Sequence, residues 1–336
     1  MQTLRLSNIS TDIRRAASLL RAGEVVAIPT ETVYGLAANA LDEVAVAKIF
    51  AAKGRPADNP LIVHVLSPED ATPLIRPGVV DKLTALSAFI PGPLTVILPK
   101  DNKVPSIVSG GLDTIAIRIP AHSVARALLH ETGIPLAAPS ANRSGSPSPT
   151  CMRHVLDDMD GRIAAVLDGG ECAVGVESTV LSLCGEVPEL LRPGAVTLEQ
   201  LREVLGEVHV AQAVLSPLRE GQAVTSPGMK YKHYAPKTRV VLLRGGSEAF
   251  AAWCNTRDCM ALCFAEDAQY LRVPCFCYGS SGDYDSQARL LFDGLRTLDE
   301  SGFAPLIAAH APDVIGVGLA VYNRLLRAAG FELVEL

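Results

Sequence analysis

Short apolar runs and amphipathic stretches alternate along this chain. The runs at 24–29, 61–66, 94–99, 114–120, 135–138, 163–167, 178–183 and 189–191 are too continuously apolar for one-sided strands, and predict strands buried on both faces. Between them, apolar positions recur at helical spacing over 10–22, 42–53, 123–132, 150–159 and 197–205. Ser10, Thr11 and Asp12 offer a start to the first helix and Gly23 a stop; Gly54, with Pro56 beyond, ends the second. Strands separated by helices predict an α/β domain over 1–208, with a mixed or largely parallel sheet under helical cover. The pattern loosens over 209–238, a linker. It resumes with strands at 239–243, 260–264, 273–277 and 314–319 and helices at 247–255, 286–300 and 320–329. That is a second, smaller α/β domain over 239–336, Rossmann-like in its alternation.

Composition narrows the class. The chain has 336 residues, 49% of them hydrophobic and 20% charged, enough apolar material for two cores. No run approaches the roughly 20 apolar residues of a membrane span, and the N-terminus lacks the basic-then-apolar pattern of a secretory signal, so the expected location is cytoplasmic. The net charge of −6 argues against a protein whose main task is gripping nucleic acid through its phosphates. Cys254, Cys259, Cys263, Cys275 and Cys277 crowd the C-terminal part without a paired C-x-x-C spacing; they are expected to be small buried hydrophobes, and no metal site is assigned.

The first domain carries the candidate chemistry. P-T-E-T-V-Y-G (29–35) follows a buried strand, where ligands of open α/β sheets bind, and the hydroxyls of Thr30, Thr32 and Tyr34 are expected to converge there; a polar turn is the alternative. Lys53 and Arg55 close a helix, either as dipole-compensating charges or as anion ligands. Asn59 leads into a strand whose apolar run is broken by His64, and a buried histidine needs a partner. Arg118 sits in an otherwise apolar strand on the face of Thr114 and Ala116, and requires an anion, internal or bound. The loop from Ala138 through Ser140 to Ser148 is rich in hydroxyls and small residues that let backbone N–H groups approach a phosphate. No Walker loop, G-x-S-x-G elbow or H-E-x-x-H is present, and Gly316-Val317-Gly318 lacks a third glycine. Cations, hydroxyls and glycine turns suit positioning and charge stabilisation at a phosphoryl centre rather than covalent catalysis.

Seven motifs occur in order: P-T-E-T-V-Y-G-L, K-G-R-P-x-x-N-P-L, P-G-P-L-T, A-P-S-A-N-x-S-G, E-S-T-V, L-R-P-G and S-P-G-M-K-Y-K-H-Y-A-P. Together they resemble the threonylcarbamoyl-AMP synthases in their long, two-domain form, and the first domain resembles the YrdC-type fold: a twisted mixed sheet with helical cover. The one departure is Ala37, where a glycine commonly follows the leucine. The resemblance implies a nucleotidyltransferase that makes L-threonylcarbamoyladenylate and pyrophosphate from L-threonine, bicarbonate and ATP, with Mg²⁺ accompanying the ATP. A downstream enzyme then transfers the threonylcarbamoyl group to tRNA beside the anticodon; direct contact with tRNA is expected to be weak. Carried over residue by residue, Thr32, His64, Arg118, Ala138 and Ser178 bind threonine. Arg55, Asn59, Thr114, Ser140, Ser148, Arg192 and Tyr234 contact ATP, and Lys53 and Arg55 stabilise the developing charge. Residues 226–236, dense in lysine and aromatic side chains, are expected to fold over the site. The competing reading is an RNA-binding module of the same fold without adenylation activity; a carbamoyl-adenylate enzyme of the hydrogenase-maturation type is a poorer match, because the acylphosphatase and zinc-finger-like segments of those chains have no counterpart here.

Overall fold

The computed structural model describes residues 2–56, 59–216 and 233–336. Its first sheet is built from β1 (Leu4–Leu6), β2 (Val26–Ile28), β3 (Gly35–Asn39), β4 (Ile62–His64), β5 (Leu94–Pro99), β6 (Thr114–Arg118), β7 (Leu136–Ala137), β8 (Ala165–Leu167), β9 (Thr179–Ser182), β10 (Glu189–Arg192) and β11 (His209–Val210). The strand order is β1-β8-β2-β3-β7-β4-β6-β5-β9-β10-β11. Parallel pairs such as β4 with β6 and β5 with β9 are interleaved with antiparallel pairs such as β2 with β3 and β5 with β6, so the sheet is mixed, as expected. The second sheet has β12 (Arg239–Arg244), β13 (Met260–Cys263), β14 (Cys275–Cys277), β15 (Leu306–His310) and β16 (Leu333–Glu335), in the order β14-β13-β15-β12-β16. Every one of its pairings is parallel, which makes it a Rossmann-like open sheet.

The helices follow their local signals. Glu43–Lys53 begins at Asp42, whose carboxylate accepts from the N–H groups of Val44 and Ala45 at 2.9 and 3.1 Å. It ends at Gly54 in the left-handed conformation, φ 63°. The first helix, Ser10–Arg21, starts differently from expectation: neither Ser10 nor Thr11 caps it, and Asp12 turns back to accept from the N–H and Oγ of Ser7 at 2.8 and 2.7 Å.

Three expectations are corrected. Residues 314–319 are not a strand: Gly316 has φ +50°, and a Cβ on Gly318 would lie 2.4 Å from the carbonyl oxygen of Asp313, so this stretch is a tight entry into helix Gly318–Ala328. The central strand is β15, whose Ala-rich run carries a weak β signal. Residues 35–39, to which the hydrophobic pattern assigns no strand, form β3, paired antiparallel to β2. Among the five C-terminal cysteines, Cys254, Cys259 and Cys263 are buried as expected, but Cys275 and Cys277 are exposed.

Buried polar contacts join the two sheets. Arg324, on helix Gly318–Ala328, donates to Glu177 Oε2 at 3.0 Å and to the carbonyl of Pro193 at 2.5 Å. Arg296, on helix Tyr284–Ser301, reaches Asp158 at 2.7 Å. A Cβ on Gly175 would stand 2.3 Å from the Cα of Arg289, so only glycine allows the backbones to approach this closely. Among the described residues, no helix is long and apolar enough to cross a membrane.

Candidate active site

The strands deliver their functional side chains to one place. His64 ends β4, Arg118 ends β6 and Thr95 lies near the start of β5; register sets His64 opposite Arg118, and Arg118 opposite Thr95. The turn after β2 is braced by Thr30, whose Oγ1 donates to the carbonyl of Val33 at 2.7 Å and lies 2.9 Å from Thr32 Oγ1. Thr32 Oγ1 in turn accepts from Arg118 Nη1 at 2.8 Å. Ser178 precedes β9; its Oγ meets Thr95 Oγ1 at 2.7 Å and accepts from Arg192 Nη2 at 3.1 Å. Arg192 Nε also holds the Ser178 carbonyl at 3.0 Å. A Cβ on Gly194 would fall 2.3 Å from the Thr179 nitrogen, so Gly194 lets the chain after β10 pass close against β9.

These groups line a cleft that encloses about 610 Å³ of space between atoms, open solvent included. Nine of the thirteen expected site residues are in its wall: Thr32, Arg55, His64, Arg118, Ala138, Ser140, Ser178, Arg192 and Tyr234. Thr30, Glu177 and His233 line it as well. Some polar atoms of this region have no protein partner: His64 Nδ1 and Arg118 Nε in the wall, and both amide atoms of Asn59 behind it, are buried and unpaired. Such atoms are costly unless something else satisfies them. Burial, reinforced by the Arg118 charge, pushes the His64 pKa down to about 3, so the ring is a neutral imidazole at ordinary pH. His233 is also pushed down to about 3, by burial and by Arg55 nearby.

Arg118, expected to require an anion, internal or bound, has an internal one. Glu31 accepts from Arg118 Nη2 at 2.8 Å. Burial alone would raise the Glu31 pKa, but the charge and hydrogen bond of Arg118 outweigh it and hold the carboxyl below its usual range. Glu31 and Glu177, which pair with Arg118 and Arg324, were not among the expected site residues; their signal was an acid beside a motif threonine and at the head of E-S-T-V.

Four expected residues lie outside the wall. Lys53 is buried, and its ammonium donates to the carbonyls of Ser140 and Asn142 at 2.5 and 2.6 Å. Burial and the Arg55 charge push its pKa well below that of an ordinary lysine. In this structure Lys53 props the 140–142 loop from beneath. Ser148 donates to Glu177 Oε1, beneath the surface. Thr114 sits at the far end of β6, beside Pro99, and Asn59 is fully buried behind the wall. Tyr34 is also turned away, its hydroxyl donating to the Gly170 carbonyl at 2.8 Å. Of the expected cover, 226–232 lies outside the described residues. His233 and Tyr234 are in the wall; Tyr234, with φ 64°, packs 5.5 Å from Phe292 of the second domain, and Ala235 bonds to Gly145 at 2.9 Å.

Comparison with known proteins decides the family. Residues 18–194 match the Sua5_yciO_yrdC model, described as telomere recombination, and residues 196–330 match the model for the C-terminal domain of threonylcarbamoyl-AMP synthase. The threonylcarbamoyl-AMP synthase of Pyrococcus abyssi is 43% identical over 336 residues, covering 96% of each chain. The chain belongs to the threonylcarbamoyl-AMP synthase family. The synthase of Bacillus subtilis is 44% identical, over 99% of this chain and 97% of that one. The crystal structure of P. abyssi Sua5 complexed with L-threonine matches with a TM-score of 0.90 at 40% identity, covering 100% of both chains. The two-domain synthase fold thus accounts for both sheets; the cleft is walled mainly by the Sua5/YrdC part, with His233 and Tyr234 coming from the stretch that matches the C-terminal model.

Proposed function

We propose that this cleft makes L-threonylcarbamoyladenylate from L-threonine, bicarbonate and ATP, releasing pyrophosphate and water. The convergence of nine expected residues on one wall carries this reading. Threonine lies at the strand ends, with its side chain against Thr32 and Ser178 and its carboxylate toward Arg118. Neutral His64 offers a hydrogen bond without competing for the negative charge. ATP lies toward Arg55, Ser140, Arg192 and Tyr234. The threonine amine, unprotonated, captures carbon dioxide or bicarbonate as a carbamate. A carbamate oxygen attacks the α-phosphorus, the bond to the bridging oxygen breaks, and pyrophosphate leaves. Arg55 stabilises the charge that develops on the departing phosphates. Lys53 acts through the loop it supports, as a positioning residue.

Mg²⁺ is proposed only as the companion of ATP. Among the described residues of the wall the carboxylate is Glu177, and both its oxygens are engaged, by Ser148 and Arg324. Among the described residues of the wall no carboxylate oxygen is left over for the ion, so phosphates and water would supply most of its ligands. The product is a labile mixed anhydride, which a transfer enzyme would pass to the adenosine beside a tRNA anticodon. The net charge of −6 favours delivery of the intermediate over tight tRNA binding by this chain. The reading is tested by measuring pyrophosphate release: it should require threonine and bicarbonate together, and release from ATP alone at the same rate would overturn it.

A further inference from the structure

The Sγ atoms of Cys263, Cys275 and Cys277 all lie within 4.8 Å of one another. The fold assembles them. Cys263 ends β13, Cys275 and Cys277 bound the outermost strand β14, and the parallel register sets Cys263 beside Cys277. Residues two apart on a strand share a face. Cys275 and Cys277 therefore project to one side, while Phe276 between them packs on the other, against Gly294 of helix Tyr284–Ser301. Cys263 is buried, and Cys275 and Cys277 are exposed.

We propose that these three thiols bind a single thiophilic metal ion, Zn²⁺ or a cation of similar softness, at the open edge of the second sheet. A zinc–sulfur bond is about 2.3 Å long, so two sulfurs on one tetrahedral ion stand about 3.8 Å apart. The Cys263 and Cys277 sulfurs are already 3.7 Å apart. Cys275 is near enough to complete three ligands by a side-chain rotation. An all-sulfur donor set selects soft ions over Mg²⁺ or Ca²⁺. Exposure of two ligands supplies an entry path and leaves a fourth position for water. Binding replaces three S–H bonds with metal–thiolate bonds and releases three protons to solvent. A disulfide between Cys263 and Cys277 would use two of the sulfurs and leave the third without a role. The ion ties β14, whose outer edge is unpaired among the described residues, to β13, and so closes an edge that natural sheets protect in other ways.

The test uses the full-length chain, reduced and freed of metal by chelation, titrated with Co²⁺ and then with Zn²⁺. The expected result is a thiolate-to-cobalt charge-transfer band that saturates at one ion per chain and disappears as Zn²⁺ displaces it. Zn²⁺ also raises the unfolding temperature. The double variant Cys275→Ser/Cys277→Ser, altered only at exposed positions, loses both the band and the temperature shift, while Cys151→Ser/Cys184→Ser keeps both. No band in the natural chain, a band that survives in Cys275→Ser/Cys277→Ser, or a Cys263–Cys277 disulfide in protein isolated from cells would each overturn the proposal. The stoichiometry of the natural chain stands without any variant.

Discussion

Individual side chains in the cleft divide into those left unsatisfied for a ligand and those holding the wall. His64 belongs to the first group, and its protonation gives a pH signature. With a folded pKa pushed down to about 3 against 6.5 for the free group, the unfolded chain binds a proton between these values that the folded chain refuses. The His64 contribution to stability is thus fully present above pH 6.5 and is lost as the pH falls toward 3, at about 1.4 kcal/mol per pH unit. His233 behaves alike. Denaturant unfolding of His64→Gln should therefore show a shallower acid limb than the natural protein, and an unchanged limb would contradict a neutral buried ring. Arg55 lines the cleft. Arg55→Ala should abolish threonine-dependent exchange of labelled pyrophosphate into ATP while unfolding at nearly the normal denaturant concentration. Sequence pattern identified most of these residues because a charge or histidine inside an apolar strand has few explanations. It did not show the carbonyls of Ser140 and Asn142 as partners of Lys53, since a lysine on two carbonyls and a lysine on a phosphate look alike until the 140–142 loop is placed.

Elements bring these residues together through strand register and tight backbone approach. Arg118 faces His64 on one side and Thr95 on the other because β6 lies between β4 and β5, a neighbourhood that no local signal specifies. Local signals did give most element positions: Leu94–Pro99 and Ser123–Thr132 have the bounds that hydrophobic runs predict. They failed at 306–319, where an Ala-rich strand is followed by an alternating Gly/apolar stretch that imitates one. The junction at Gly194 makes a mechanical claim. Gly194→Ala places a methyl 2.3 Å from the Thr179 nitrogen and must push the chain after β10 off β9, which displaces Arg192 from Ser178. The expected cost is about 1–3 kcal/mol of stability, together with a raised KM for threonine; unfolding and initial-rate measurements with normal values would show that the contact relaxes without consequence.

The whole molecule is held by ion pairs that cross between the domains, and the cleft depends on them. Glu177 sits in the cleft wall between Ser148 of the first domain and Arg324 of the second. Arg324→Leu leaves a buried carboxylate short of its charge partner, at an expected cost of about 3–5 kcal/mol by equilibrium unfolding. Ending the chain at 221 removes Arg324 and Tyr234 together, so both first-domain stability and yield of the intermediate should fall; full yield from such a truncation would contradict any covering role for the second domain. These long-range pairs were not legible in sequence, because they join residues more than a hundred positions apart whose charges look like ordinary surface groups. The central claim concerns the reaction itself. Mass spectrometry of the product formed from ATP, L-threonine and carbon-13 bicarbonate tests it most directly. The account predicts threonylcarbamoyl-AMP one mass unit heavier than with ordinary bicarbonate, and none when threonine is omitted. An unlabelled adenylate, or a labelled product that forms without threonine, would contradict it.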